Sequence, residues 1–425
     1  MFSRFCSEVG SQVDPEEVEQ LKQVQSVFMQ VLADLSAHPT FAASCALDGP
    51  EAQTLQGWLS SPHVELRSSA CLALGNIARS DEACVWLVET AAIHKPLVAV
   101  LADPSNTDAQ LLHSTLSFLK NLSIPAGNKT AVGEAGVFDA QVLPRIWQIS
   151  TQPQVQFAAV SLARLLLVNC PGNVRRVVHP SSGSSPGHAA PAPDGRSNVQ
   201  LLLDVFKQTD QEPTKMEAAR ALLNICRALH SDASSIFPSA SDGGLQPLED
   251  FYAGYAELTG ALLFLGSQKK HPLLRSELWF VLALMARSSG VGARVVAGLT
   301  QHRELLGTLS EAVAGRNILE DQEGDGVELV ADGSAALLDS DATGAVSGGG
   351  EGELGLEPQQ VDPKQAASMA KVDRENGFVL IHELVRLSPE GPAPLPIDAL
   401  RRILKEAGGL VLASRDTASA PENGS

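Results

Sequence analysis

Aromatic residues are scarce: two Tyr, four Trp and 13 Phe make up 4% of the 425 residues. That scarcity argues against an all-β sandwich or barrel, whose strands favour aromatic and β-branched residues. Basic residues are also few, with 31 Lys plus Arg against 49 Asp plus Glu, a formal charge of −18. This excludes a general nucleic-acid binder, because phosphate contacts need clustered Lys and Arg. No run of about 18 apolar residues occurs, so no membrane span is expected. The opening Met1-Phe2-Ser3-Arg4-Phe5-Cys6 is too short and interrupted for a signal peptide. The six cysteines, at 6, 45, 71, 84, 170 and 226, form no Cys-x-x-Cys pair and mostly sit in apolar runs. They read as free buried thiols in a reducing compartment, so a cytosolic protein is expected. The sequons at Asn121, Asn128 and Asn423 then carry no meaning.

Catalytic signatures are missing too. There is no Gly-x-Ser-x-Gly, no His-Glu-x-x-His and no Gly-x-Gly-x-x-Gly. Gly127-Asn128-Lys129-Thr130 lacks the leading glycine of a phosphate loop and follows a helix, so it reads as an inter-repeat turn and short helix. Asp339 and Asp341 stand in a Gly-rich stretch with no rigid partner and read as solvated charges. No catalytic residue, metal ligand or cofactor is therefore expected. Trp58, Trp86, Trp147 and Trp279 lie on apolar stripes and read as core. His113 and His382 read as packed or solvent-facing rather than catalytic.

What is present is helical periodicity. Segment 62–79 places Leu66, Ala70, Ala73, Leu74 and Ile77 on one stripe, and 107–123 does the same with Leu111, Leu112, Leu116, Leu119 and Leu122. Segments 153–169, 213–230, 271–288 and 371–388 repeat the theme, mostly opening near Pro, Ser or Thr. Asn76 and Asn121 stand 45 residues apart, and Asn224 follows after a longer gap. Shorter helices, at Glu82–Thr90 and Pro96–Asp103, fall between the long ones. A period of about 40–47 residues with two or three helices is that of armadillo and HEAT units. One such unit cannot bury its apolar face alone, whereas stacked units share a core. The expected fold is all-α: a right-handed superhelical armadillo solenoid with two disordered inserts.

The expected organisation is a tail at 1–14, repeats over 15–316 with a Ser/Gly/Pro-rich insert at 179–197, an acidic insert at 317–363, helices at 364–413 completing the last repeat, and a tail at 414–425. The stretch 317–363 holds twelve acids, nine Gly and no Lys or Arg, so it alone carries −12 of the charge.

On a third helix, positions i, i+3, i+4 and i+7 share a side. The expected concave face therefore carries Asn76, Arg79, Lys120, Asn121, Arg164, Arg220, Asn224 and Arg227, then Glu277 and Asn376. An Asn amide offers two donors and one acceptor, so such a ladder suits a partner's main chain. The same Asn can instead bond the neighbouring repeat, and the residues alone leave both roles open.

Ser69-Ala70-Cys71-Leu72-Ala73-Leu74-Gly75-Asn76-Ile77-Ala78-Arg79-Ser80-Asp81 resembles the small-GTPase GDP-dissociation stimulators, a family of armadillo-repeat exchange factors. Leu119-Lys120-Asn121-Leu122-Ser123-Ile124-Pro125 followed by Asn128-Lys129 resembles the next repeat of that family, with Lys120 where the family has Arg. Weaker matches are Pro153-Gln154-Val155-Gln156-Phe157 and Asn376-Gly377-Phe378-Val379-Leu380-Ile381. The resemblance implies a cytosolic, non-enzymatic partner of Rho- and Ras-type GTPases that carry a polybasic tail and a prenyl group. It implies that GDP release is promoted and the lipidated form chaperoned, and by position it carries over to Asn76, Arg79, Lys120, Asn121, Arg164, Arg220 and Asn224. It also implies an N-terminally shortened member, because the family has more repeats ahead of the Ala-Leu-Gly-Asn motif than this sequence holds, and the family's prenyl cavity lies in those earlier repeats. A monomer is expected, with no nucleic-acid partner. The alternative is a non-catalytic armadillo scaffold that grips an extended peptide or lipidated tail. Import receptors of that kind place Trp four residues before each Asn, where this chain has Leu72, Ser117 and Arg220.

Overall fold

The computed structural model describes residues 15–179, 195–237, 246–319, 363–387 and 396–418. The tail at 1–14, most of each expected insert and the last residues of the chain lie outside these. Among the described residues there are 21 helices and no strand, so the chain is all-α, as its periodicity implies. No single described helix is long and apolar enough to cross a membrane. Two compact units divide between Ala261 and Leu262.

The first unit opens with α1 (Pro15–Ala37), α2 (Pro39–Ser44), α3 (Pro50–Trp58) and α4 (Val64–Ile77). Next come α5 (Asp81–Glu89), α6 (His94–Ala102) and α7 (Ala109–Leu122), then α8 (Ala126–Glu134), α9 (Leu143–Trp147) and α10 (Pro153–Leu167). The last are α11 (Pro171–Val178), α12 (Asn198–Gln208), α13 (Glu212–Ser231), α14 (Ala233–Ile236), α15 (Gln246–Gly254) and α16 (Leu258–Gly266), the last crossing the division. Local chemistry starts these helices where they start. Ser80 caps α5 by accepting from Ala83 N–H at 3.2 Å, and Asp108 caps α7 by accepting from Leu111 N–H at 2.7 Å. Pro153, Pro171 and Pro213 sit in the first turn of α10, α11 and α13, where a missing N–H costs nothing.

The long third helices stack side by side: α1 on α4, α4 on α7, α7 on α10, and α10 on α13. The first helices form a second stack, α5 on α8 and α8 on α11. Leu74, Leu116, Leu119, Leu122, Leu162, Leu166 and Leu222 are fully buried along the shared core. Helical packing of this kind is permissive about sliding, and polar bonds between repeats supply the register. Asn128 Nδ2 donates to Cys84 O at 3.0 Å and to Leu122 O at 2.8 Å. One repeat later Asn173 Nδ2 donates to Lys129 O at 2.9 Å and Leu166 O at 3.1 Å. Gly127-Asn128-Lys129-Thr130 thus opens a short helix, as read from sequence, with Asn128 as a staple. Gly133 is required by the same staple, since a Cβ there would strike the Asn173 side-chain oxygen. Arg145 Nη2 to Leu101 O, 2.6 Å, and Gln152 Nε2 to Thr107 O, 3.1 Å, bridge residues 44 and 45 apart.

The second unit holds α17 (Pro272–Ser288), α18 (Gly290–Leu299), α19 (Arg303–Ala314), α20 (Pro363–Leu387) and α21 (Ile397–Ala418). α20 packs along α17 and α19, and α21 packs on α19 and α20. The fold of α19 runs on into the stretch expected as insert: Ile318 is fully buried, and its N–H donates to Ser310 Oγ at 3.0 Å. At the other insert, Arg196 pairs with Asp204 at 2.7 Å, and Ser197 caps α12. Helix α21 reaches Ala418, past the Ser414 start of the expected tail. No Pro stands there to stop it before Pro421. A buried ion pair ties α20 to α17. Arg275 Nη2 meets Asp373 Oδ2 at 2.6 Å, and Trp279 Nε1 donates to Asp373 Oδ1 at 3.0 Å. Burial raises the Asp373 carboxyl, and Arg275 opposes that shift.

Cys45, Cys71, Cys84, Cys170 and Cys226 are free and buried. Burial pushes the Cys226 thiol up to about 12 and the Cys71 thiol to about 11, so neither is a thiolate near neutrality. Beside Cys226, His230 Nε2 bonds Tyr252 Oη at 2.8 Å. Burial lowers the His230 imidazole to about 4.

Two outcomes follow from this packing. Substituting Asn173 by Ala leaves two buried carbonyls without their donor. Urea denaturation should show a loss of about 2–3 kcal/mol, with the far-ultraviolet helix signal of the folded state unchanged. For His230, the folded state favours the neutral ring while the unfolded chain accepts a proton near pH 6.5. Its contribution is therefore complete above that value and is lost as pH falls from 6.5 towards 4, by about 3 kcal/mol in all. His230→Gln should flatten the stability profile across that window, read from denaturation midpoints at successive pH values.

Candidate partner-binding face

The expected residues of the first unit sit on the third helices α4, α7, α10 and α13, except Arg79, which follows the end of α4. Asn76, Lys120, Asn121, Arg164, Arg220, Asn224 and Arg227 are half-buried, while Arg79 is exposed. The Asn side chains are turned towards their neighbours. Asn76 Nδ2 donates to Ser36 Oγ at 2.9 Å, and Asn121 Nδ2 donates to Gly75 O at 3.0 Å. Asn224 Nδ2 reaches Arg164 O at 3.4 Å. The Leu-Gly-Asn motif acquires a physical meaning here: Gly75 offers its carbonyl to Asn121, and Asn76 reaches back to the preceding helix. Arg79 Nη2 then donates to Asn76 Oδ1 at 3.3 Å, which occupies the amide's acceptor side. Of the two roles left open by the sequence, the amide nitrogens take the internal one.

The charged residues converge on a group that periodicity did not single out. Glu217, on α13, receives Arg164 Nε at 2.5 Å and Arg220 Nη1 at 3.2 Å. Lys120 lies within electrostatic range of both Glu217 and Arg164. Burial lowers the Lys120 ammonium, Glu217 opposes that shift, and Arg164 reinforces it. Next to it, burial and then Lys120 lower the His113 imidazole. Three cations thus gather beside Glu217, a chemistry that suits acidic side chains of a protein partner. The signal for Glu217 was available in the sequence only as an acid three residues before Arg220 on one helix.

In the second unit Glu277 is exposed on α17, and Asn376 on α20 is half-buried. Asn376 Nδ2 donates to Ser276 Oγ at 2.8 Å and to Ser276 O at 3.2 Å, repeating the inward arrangement seen in the first unit. Gly377 follows it because a Cβ there would run into Val313.

The fold and this face together define a helical-repeat protein whose polar surface lies on its third helices. No family model matches the chain. Among curated proteins it is 38% identical over 118 residues to the GTPase-GDP dissociation stimulator vimar of Drosophila melanogaster, a match covering 27% of this chain and 18% of that protein. It is 29% identical over 161 residues to Rap1 GTPase-GDP dissociation stimulator 1-B of Xenopus laevis, covering 37% of this chain and 25% of the relative. The 1-A protein of the same frog is 29% identical over 159 residues, with the same coverage. The aligned stretch is thus about a fifth to a quarter of the length of these relatives. The motif resemblance to GDP-dissociation stimulators is matched by relatives of that name. Among solved structures, one engineered protein aligns at a TM-score of 0.46 and 14% identity, covering 77% of this chain and 99% of its own. Another aligns at 0.42 and 19% identity, covering 93% and 90%.

Replacing Glu217 by Gln should leave Arg164, Arg220 and Lys120 facing one another without their shared anion. The expected loss is about 1–3 kcal/mol of stability in urea, largest at low salt, where the repulsion is unscreened.

Proposed function

We propose that this chain regulates small GTPases of the Rho or Ras type in the cytosol, binding them through the third-helix face and stimulating GDP release. The reading is carried by one conjunction: relatives named as GTPase-GDP dissociation stimulators, and a cluster of cations around Glu217 drawn from α7, α10 and α13, of which α7 and α10 bear residues of the motif resemblance. Arg79, Lys120, Arg164, Arg220 and Arg227 act as partner contacts in the first unit, and Glu277 in the second. Asn76, Asn121, Asn224 and Asn376 hold those helices in register and present their outer edges. The partner is a GTPase whose basic, prenylated tail is drawn by the acidity of the chain, of which residues 317–363 carry −12.

The action needs no covalent chemistry. A face that binds the nucleotide-free conformation more tightly than the GDP-bound one shifts the equilibrium towards release by that difference in affinity. A peptide-gripping scaffold would use the same surface, but each Asn amide there already commits one of its two N–H donors inside the protein. The Nδ2 atoms of Asn76, Asn121, Asn224 and Asn376 donate to neighbouring helices.

The test is release of a fluorescent GDP analogue from a purified Rho-type GTPase. Acceleration is expected with the wild-type chain. Arg79→Glu combined with Lys120→Glu should weaken GTPase binding by at least about tenfold, which corresponds to 1.4 kcal/mol, and leave helicity intact. Binding without any acceleration would defeat the reading.

A further inference from the structure

Helix α7 carries polar side chains that the fold does not use. His113, Ser117 and Lys120 are spaced by four and three residues, so they share one side of the helix, and all three are half-buried. Among the described residues none of them makes a hydrogen bond, and Lys120 has no ion pair. The next third helix, α10, packs along α7 and repeats part of the pattern one unit later. Ser161 follows Ser117 by 44 residues, and Arg164 follows Lys120 by 44. Ser161 is buried, and its hydroxyl also makes no hydrogen bond among the described residues. Arg164 gives Nε to Glu217 and leaves both Nη groups unbonded there. Lys120 is within electrostatic range of both His113 and Arg164. Glu217 forms no ion pair with Lys120; its two oxygens accept from Arg164 and Arg220.

We propose that Ser117, Lys120, Ser161 and Arg164, with His113 beside them, bind a phosphate monoester carried by a phosphorylated side chain of a protein partner. Donors are abundant there: three N–H on the ammonium, four on the two Nη groups, and two hydroxyls. A carboxylate brings two oxygens to accept them. A phosphate monoester brings three terminal oxygens and a charge of about −1.5 to −2 near pH 7. An ammonium beside a guanidinium is repelled by it: burial lowers the Lys120 ammonium first, and Arg164 lowers it further. A dianion between the two relieves that repulsion and gains charge-assisted hydrogen bonds from both. The planar Arg fork matches paired phosphate oxygens, and the serines add donors without adding charge. Half-buried groups on a helix face hold a free anion weakly, whereas a peptide adds contacts on either side of its phosphate. Only the premise that this face meets a protein is shared with the GTPase reading.

The probe is a short fluorescein-labelled Ala/Gly peptide with one central phosphoserine, titrated with the full chain and read by fluorescence polarisation. It should bind at least about tenfold more tightly than the same peptide carrying Ser or Glu at the centre. Binding should weaken as ionic strength rises through about 0.1 M. Lys120→Gln should lower the affinity by about tenfold or more, and Ser117→Ala by about threefold or more, with circular dichroism as in wild type. Lys120→Arg, which keeps the charge, should retain the preference for phosphoserine. Lys95→Gln, at an exposed position on α6, should bind like wild type.

Equal binding of the phosphoserine and glutamate peptides overturns the assignment, as does a preference that survives Lys120→Gln combined with Ser117→Ala. Inorganic phosphate that displaces the peptide at the peptide's own Kd also overturns it, because a free anion is then the ligand. Release of the fluorescent GDP analogue, measured without phosphopeptide, decides the GTPase reading separately. Phosphopeptide binding without accelerated release leaves the phosphate site standing and defeats the GTPase reading; accelerated release without phosphopeptide binding does the reverse.

Discussion

Side-chain amides that donate to main-chain carbonyls of the neighbouring repeat hold the first unit in register. Burial of Leu-rich faces supplies the driving force, but it is non-directional and tolerates sliding of one helix along another. A carbonyl at a helix end has a fixed position, and an amide that reaches it must come from one particular residue. Asn121 to Gly75, Asn128 to Cys84 and Asn173 to Lys129 span 46, 44 and 44 residues, which is the repeat length expressed as bonds. Each is at least partly buried, so its loss would leave a desolvated carbonyl unpaired, and the cost of misregister is correspondingly steep.

This use of the asparagines determines what remains for recognition. Their Nδ2 atoms point along the stack, so the outward chemistry falls to charged groups. Arg164, Arg220 and Lys120 around Glu217 make the densest such group. Glu217 matters twice: it keeps three cations from repelling one another, and it ties α10 to α13 through Arg164.

The second unit solves a different problem. Its helices α17 and α20 lie about a hundred residues apart in sequence, with the acidic stretch between them. Closing so long a loop costs little more than closing one half its length, since the entropic penalty grows only with the logarithm of loop length. The closure is fixed by the Arg275–Asp373 pair with Trp279, and by Asn376 on Ser276. The inward Asn thus recurs even where the repeat is interrupted.

The helices, their approximate limits and the repeat length were legible from residues alone, because each depends on local periodicity. Pro153 and Pro213 marked helix starts, and the 45-residue spacing of Asn76 and Asn121 marked the unit. The sequence also made these asparagines conspicuous, but it left open whether their amides faced a partner or the next helix. It passed over Asn173, Glu217 and Asp373, since little in their immediate neighbours distinguishes them from ordinary helix residues; for Glu217 only Arg220, three residues on, gave a sign. Periodicity states which residues share a side of one helix. Which of those sides meets a carbonyl, a guanidinium or open water depends on how the next helix is laid against it. That placement joins residues some 40 to 100 positions apart, and only the tertiary structure decides it.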